Sequence, residues 1–369
     1  MVPNLFSPIT LGSFTLPNRI AIAPMCMYSA VDGTPGDWHL AHWTSLAVSG
    51  AAMITVEATG VEARGRITPG CLGIYSDENE EAIRIRLAAA RAVATEGAVF
   101  GIQLGHAGRK ASTRFPWQGG GPLAADEGRW QTVAPSAVPF ADGWHVPEAL
   151  DEAGIEGIID AFAAAGRRAE RAGFDFVEIH GAHGYLLHEF LSPLSNRRTD
   201  RWGGPLENRM RLVLAIAERL RAELPARMAI GVRLSATEWV DGGFTPEETV
   251  EVVNALKERG VAYACISSGG NASHAIVPNA PLYQVPFAEK VRRETGIVTR
   301  AVGLIDRPEQ AEAIVAEGRA DLVAFARAVL ADPRWPWRAA AALGAELEVV
   351  PQYRRSQPLM ARWEKAAHA

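Results

Sequence analysis

Phe174-Asp-Phe-Val-Glu-Ile-His-Gly-Ala-His-Gly-Tyr-Leu-Leu187 is the stretch from which the fold can be read. Its opening run, Phe174–His180, is apolar and suits a buried, pleated surface, so it predicts a strand. The chain then breaks at Gly181 and Gly184 into a turn carrying His180, His183 and Tyr185. Two imidazoles and a phenol at the carboxyl end of a buried strand are more than a structural turn needs. Parallel α/β proteins bind their ligands at that end of the strands. The turn is therefore the candidate chemical centre.

Working outward, similar short apolar runs recur at Arg19–Ala23, Met53–Ala58, Val99–Leu104, Met228–Ser235, Tyr263–Ser268, Val298–Gly303 and Leu322–Arg327. Continuous apolar strands of this kind belong to a parallel sheet covered by helices. Helical patterns alternate with them, at His39–Ser49, Glu80–Glu96, Glu152–Ala172, Glu207–Glu223, Pro246–Arg259, Pro286–Glu294, Pro308–Glu317 and Pro333–Ala342. Starts such as Thr245-Pro-Glu-Glu put proline and acids in the first turn. Gly97, Gly173, Gly260, Gly296 and Gly318 follow five of the helices, where a left-handed residue ends them. Eight strands and eight helices in alternation predict a (β/α)8 TIM barrel, read as one domain over 1–369. A doubly wound sheet is the alternative, but no G-x-G-x-x-G occurs to support a dinucleotide fold. Residues 111–151, rich in Pro, Gly and Trp, form a loop or lid excursion after the third strand. The tail from 347 to 369 has no partner in the local pattern and no part in closing the barrel.

Composition bounds the partners. The 369 residues are 48% hydrophobic and 21% charged, with a net charge of −5, so nothing global points to nucleic acid or an anionic membrane. No window approaches a membrane span, and the amino terminus lacks the marks of a signal peptide. Cys26, Cys71 and Cys265 are scattered, which suits a reducing cytoplasm and argues against a disulfide framework or a cysteine metal site.

The strand ends converge on one chemistry. They carry Ala23-Pro-Met-Cys-Met-Tyr28, Glu57-Ala-Thr-Gly60, Gln103-Leu-Gly-His-Ala-Gly-Arg-Lys110, Arg233, Gly303 and Arg327. Gly303 and Arg327 fall after the seventh and eighth strands, where barrels commonly hold a phosphate, and a guanidinium pairs with phosphate oxygens two at a time. His180 and His183 have a spacing that metal sites also use, but the motif offers no third ligand, His188 falls on the following helix and no H-E-x-x-H exists.

These motifs resemble the old yellow enzyme family of FMN-dependent ene reductases, in its thermophilic-like branch. The likeness is carried by Leu5-Phe-Ser-Pro-Ile, Leu16-Pro-Asn-Arg-Ile, Ala23-Pro-Met-Cys-Met-Tyr, Gly101-Ile-Gln-Leu-Gly-His-Ala-Gly-Arg-Lys and Glu178-Ile-His-Gly-Ala-His-Gly-Tyr-Leu. It continues through Phe190-Leu-Ser-Pro-Leu-Ser-Asn-Arg-Arg-Thr-Asp, Trp202-Gly-Gly-Pro-Leu-Glu-Asn-Arg and Gln352-Tyr-Arg-Arg, and so covers nearly the whole chain.

The resemblance implies roles. Ala23, Pro24, Met25 and Cys26 would line FMN, with Cys26 at its reactive edge. Ala58 and Gln103 would contact the isoalloxazine, and Arg233 would sit by its N1 and O2. Gly303, Ala326 and Arg327 would hold the phosphate. His180 and His183 would donate to a carbonyl or nitro oxygen, Tyr28 would touch the substrate beside them, and Tyr185 would give the proton. NADPH, or NADH, would be the reductant and enones or nitroalkenes the small-molecule substrates. Arg355 would reach a neighbouring subunit's site in a homodimer or homotetramer, which puts 347–369 at an interface. His106, Arg109 and Lys110 read as loop scaffolding.

Two departures stand out: Gly105 replaces a frequent Ala, and Ser356 replaces a frequent Gly, which leaves the course of the tail open. Two other functions compete. A 2,4-dienoyl-CoA reductase type shares the barrel, but its full form needs cluster-binding cysteines and further domains. A flavin-based redox sensor would use Cys26, and would have no need for Tyr185 with both histidines.

Overall fold

The computed structural model describes residues 2–359 and Arg362. Two short strands, β1 (Ile9–Leu11) and β2 (Phe14–Leu16), pair antiparallel across a tight turn at Gly12, whose φ is 58°. They precede the barrel, and the sequence reading contained no strand there. Leu11 and Leu16 are buried in a cluster with Met53, Phe176 and Tyr263, so the hairpin packs against the barrel strands.

Eight parallel strands then close on themselves. In chain order they are β3 (Ile20–Ile22), β4 (Met53–Gly60), β5 (Val99–Gly105), β8 (Phe176–Gly181), β9 (Ala229–Ser235), β10 (Tyr263–Ser267), β11 (Val298–Ala301) and β12 (Leu322–Phe325). Each pairs with the next, and β12 pairs with β3. The eight-stranded barrel expected from the alternation is the fold observed. Between β5 and β8 lie β6 (Val133–Ala134) and β7 (Glu148–Ala149), so the 111–151 excursion has a small sheet of its own.

The surrounding helices are α1 (Asp37–Ala47), α2 (Asp77–Ala92), α3 (Glu152–Ala172), α4 (Leu186–Leu191), α5 (Leu206–Arg209), α6 (Arg211–Glu223), α7 (Pro246–Glu258), α8 (Val285–Thr295), α9 (Pro308–Ala316), α10 (Arg327–Ala331) and α11 (Trp335–Leu343). Asp151 caps α3, its carboxylate accepting from the Gly154 amide at 2.7 Å, and Gly173 ends it with φ 97°. Thr245 and Glu248 cap α7 reciprocally, as Thr-Pro-Glu-Glu predicts. The expected Glu207–Glu223 helix is two helices, divided at Met210. The eighth strand stops at Phe325, so Arg327 opens a short helix instead of ending a strand.

The tail differs from expectation more clearly. Val349 and Val350 are buried, Tyr353 lies 5.8 Å from the Trp337 ring, and the Arg334 guanidinium stands over both rings. The segment thus packs on α11 and has a partner within the chain. Residues 360, 361 and 363–369 of the expected tail lie outside the described residues.

Candidate active site

The β8 end places the two imidazoles and the phenol together. His180 is the penultimate residue of β8, and its ring lies 5.2 Å from His183 and 5.1 Å from Tyr185, nearly perpendicular to both. His180 Nδ1 accepts from the Ala182 amide at 3.3 Å, which puts the ring proton on Nε2. His183 takes the left-handed conformation, with φ 61°. Its amide donates to Ser235 Oγ at 3.0 Å, and its Nε2 lies 2.7 Å from Ser267 Oγ. Gln284 then accepts from the Ser267 and Ser268 hydroxyls at 3.1 and 2.7 Å. Tyr185 precedes α4. His188, expected on that helix, is there, and it accepts from the Gly184 amide through Nδ1 at 2.8 Å.

Burial sets the protonation states. It holds His180 and His183 well below the usual imidazole range, and the Arg233 guanidinium adds to the effect. It pushes the Tyr185 phenol well above its ordinary value. At neutral pH the pair is neutral and the phenol keeps its proton.

The other strand ends form the walls. The Ala23–Tyr28 segment leaves β3 with the Ala23 amide donating to Phe325 O at 2.9 Å. A register irregularity in β4 between Val56 and Ala58 makes room for the buried Glu57. Glu57 accepts from the Met27 amide at 3.0 Å and ties down the Pro24–Met27 segment. Burial raises the Cys26 thiol well above its ordinary value, with Cys71 and Glu57 adding to it, so it is a thiol and not a thiolate. Tyr28 has φ 51° and meets the aromatic rings of Phe115 and Trp117, which are stacked 5.1 Å apart. The excursion thereby supplies part of the wall.

Gln103 on β5 donates from Nε2 to Glu178 at 2.8 Å. Arg233 pairs in register with His180, and its Nε is buried without a hydrogen-bond partner. His183, Arg233, Gly303, Ala326 and Arg327 line one cavity of about 610 Å³. Gly303 has φ 126°, and a Cβ there would come within 2.8 Å of Gln284. Arg355 is not in this group: it is exposed, on the turn that Tyr353 anchors to α11.

Lys110, expected as loop scaffolding, donates to the backbone oxygens of His183 and Gly270 and so supports the site. Three further residues that serve the site were not expected: Glu178, Ser267 and Gln284. Glu178 lies inside a motif already singled out, so its neighbours were the available signal. Ser267 and Gln284 are in no motif, and nothing in their local pattern marks them.

Residues 4–346 match the NADH:flavin oxidoreductase / NADH oxidase family. The chain is 44% identical over 361 residues to an NADPH dehydrogenase of Geobacillus sp. (strain WCH70), covering 96% of this chain and 99% of that one. A Listeria innocua NADPH dehydrogenase is 41% identical over 355 residues, with coverage of 96% and 99%. Among solved structures, morphinone reductase superposes with a TM-score of 0.77 at 30% identity, over 94% of this chain and 91% of that one.

Proposed function

The chain belongs to the NADH:flavin oxidoreductase / NADH oxidase family, and from that premise we propose that it is an ene reductase of activated C=C bonds. It is an FMN-dependent oxidoreductase of the NADPH dehydrogenase kind. Its proposed acceptors are α,β-unsaturated carbonyl and nitro compounds.

The cavity residues fit FMN. The unpartnered Arg233 Nε suits the electron-rich edge of the isoalloxazine, and Arg327 with the Gly303 backbone suits a phosphate. Ala23, Pro24, Met25, Cys26, Ala58 and Gln103 would frame the ring, with Ala326 beside the phosphate. When bound, FMN supplies the hydride, from N5.

The chain's own residues do the rest. His180 donates to the substrate oxygen from Nε2, and His183 joins it by turning its Nε2–H from Ser267 Oγ to the same oxygen; together they draw electron density from the β-carbon. Tyr185, a protonated phenol beside His180, gives its proton to the α-carbon. Tyr28 and the Phe115–Trp117 stack shape the approach. The observation that carries this reading is the neutral His180 imidazole set against both the neutral His183 imidazole and the protonated Tyr185 phenol at one strand end.

We further place the protein in the cytoplasm as a homodimer or homotetramer, a single barrel domain whose tail passes Arg355 to a neighbour. Among the described residues no helix is long and apolar enough to cross a membrane.

Anaerobic titration with NADPH followed by cyclohexenone tests the reading. The flavin should bleach and then reoxidise with the enone. Bleaching without reoxidation would favour a redox sensor and overturn the ene reductase.

A further inference from the structure

Inside the barrel lies a charged pair that the chemistry above does not use. Glu178 on β8 and Arg300 on β11 are fully buried and joined through Oε2 and Nη2. The same carboxylate oxygen accepts from Tyr263 Oη at 2.8 Å, and Arg300 Nη1 donates to Thr55 Oγ1 at 3.1 Å. The other oxygen, Oε1, accepts from Gln103 Nε2 at 2.8 Å, across strands where the two residues are in register.

A buried ion pair is a poor source of stability, because desolvation offsets most of the Coulomb gain. It is a good device for fixing orientation. An amide can offer either its donor or its acceptor end, whereas a carboxylate held by a guanidinium and a phenol only accepts. The Gln103 nitrogen must therefore face Glu178, and its oxygen is left for another partner.

We infer that Glu178 and Arg300 are positioning residues for FMN: they lock the Gln103 amide so that its oxygen is offered to the N3–H of the isoalloxazine. The inference rests on the reading that Gln103 contacts that ring. Arg300 balances the charge of Glu178, so the lock adds no net charge to the barrel interior.

The test titrates apo-protein with FMN and reads Kd from flavin fluorescence. Gln103→Ala and Glu178→Gln should each raise Kd about tenfold, the size of one well-aimed hydrogen bond. Their combination should bind no more weakly than Gln103→Ala alone, because Glu178 acts through Gln103. Glu178→Gln leaves Arg300 buried without its anion. Where that variant does not fold, Glu178→Met with Arg300→Met takes its place and should show the same pattern. In 15N-glutamine-labelled apo-protein, the Glu178 replacements should also shift the Gln103 side-chain amide signals, which Gln103→Ala identifies by their loss.

Additive losses, unshifted amide signals, or an FMN affinity that ignores Glu178 would overturn the positioning role and leave the Gln103 contact standing. An affinity that ignores Gln103→Ala would overturn both.

Discussion

Lys110 Nζ donates to the backbone oxygen of His183 at 2.8 Å. The same ammonium donates to Gly270 O at 2.8 Å and lies over the Tyr185 and Phe140 rings. It thus ties the strained His183 turn to the loop after β10 and to the 111–151 excursion. Burial lowers Lys110 from 10.5 to about 8, opposed by the nearby Glu189, with Arg109 adding to the lowering.

This gives a pH prediction with a worked sign. Between pH 8 and 10.5 the unfolded chain binds the Lys110 proton and the folded chain does not. The Lys110 contribution to stability therefore rises with pH through that window. The clamp does the opposite, losing its charge-assisted bonds above about pH 8. Enone turnover should accordingly fall above pH 8 with no matching fall in Tm from this group. Lys110→Met should lower turnover about tenfold and flatten the limb, as expected for lost charge-assisted hydrogen bonds. An alkaline limb that persists in Lys110→Met would assign it elsewhere.

A second pH effect lies on the acid side. Burial lowers His188 from 6.5 to about 4, with Glu238, 3.3 Å from Nε2, pulling the other way. Between those values the unfolded chain takes up the proton first, so stability is present above pH 6.5 and lost as pH falls toward 4. Linkage bounds this share at about 3 kcal/mol. Thermal melts from pH 7 to 4 should show the decline, and His188→Asn should reduce it. Equal slopes in both proteins would mean that His188 is not the group responsible.

The proton and hydride ends of the reaction should separate by mutation. Tyr185→Phe should slow oxidation of the reduced flavin by enone about 10²-fold or more, and leave reduction by NADPH nearly intact. Stopped-flow traces that slow equally in both halves would make Tyr185 structural. Cys26→Ala should shift the flavin potential and substrate preference without abolishing turnover, because a thiol held protonated by burial is neither nucleophile nor acid.

The barrel was legible because its periodic signals are local: apolar runs of strand length, helix starts such as Thr245-Pro-Glu-Glu, and glycine stops. The five expected stop glycines all have positive φ, but Gly97 lies in the turn beyond α2, which ends at Ala92 and not at Glu96 as the pattern predicts. The Ile9–Leu16 hairpin was not read, since two three-residue strands carry too little pattern to stand out from a loop. The His180–Tyr185 cluster was legible because six successive positions hold its chemistry. The supports of that cluster come from distant elements, Lys110 from β5's following turn and Ser267 with Gln284 from around β10, and only closure of the barrel brings them together. Glu178 was hidden for another reason: an acid in a strand reads as an interruption until its cation, 122 positions away, is seen beside it.

The last prediction concerns Arg355. Tyr353 fixes the tail turn against Trp337 and Arg334, so the next two residues are held outward and not against their own barrel. Arg355 is exposed, which suits an arginine that completes a neighbouring subunit's pocket. Arg355→Ala should then raise KM for enones about 10- to 10²-fold, the loss expected for a charge-assisted hydrogen bond, with FMN content and fold retained. Mixing subunits that carry Tyr185→Phe and His180→Ala with subunits that carry Arg355→Ala should restore low KM. In such a pair the intact barrel of the second receives the intact tail of the first. Heterodimers confirmed to have formed but showing no recovery would mean that Arg355 acts within its own chain or plays no part in the pocket.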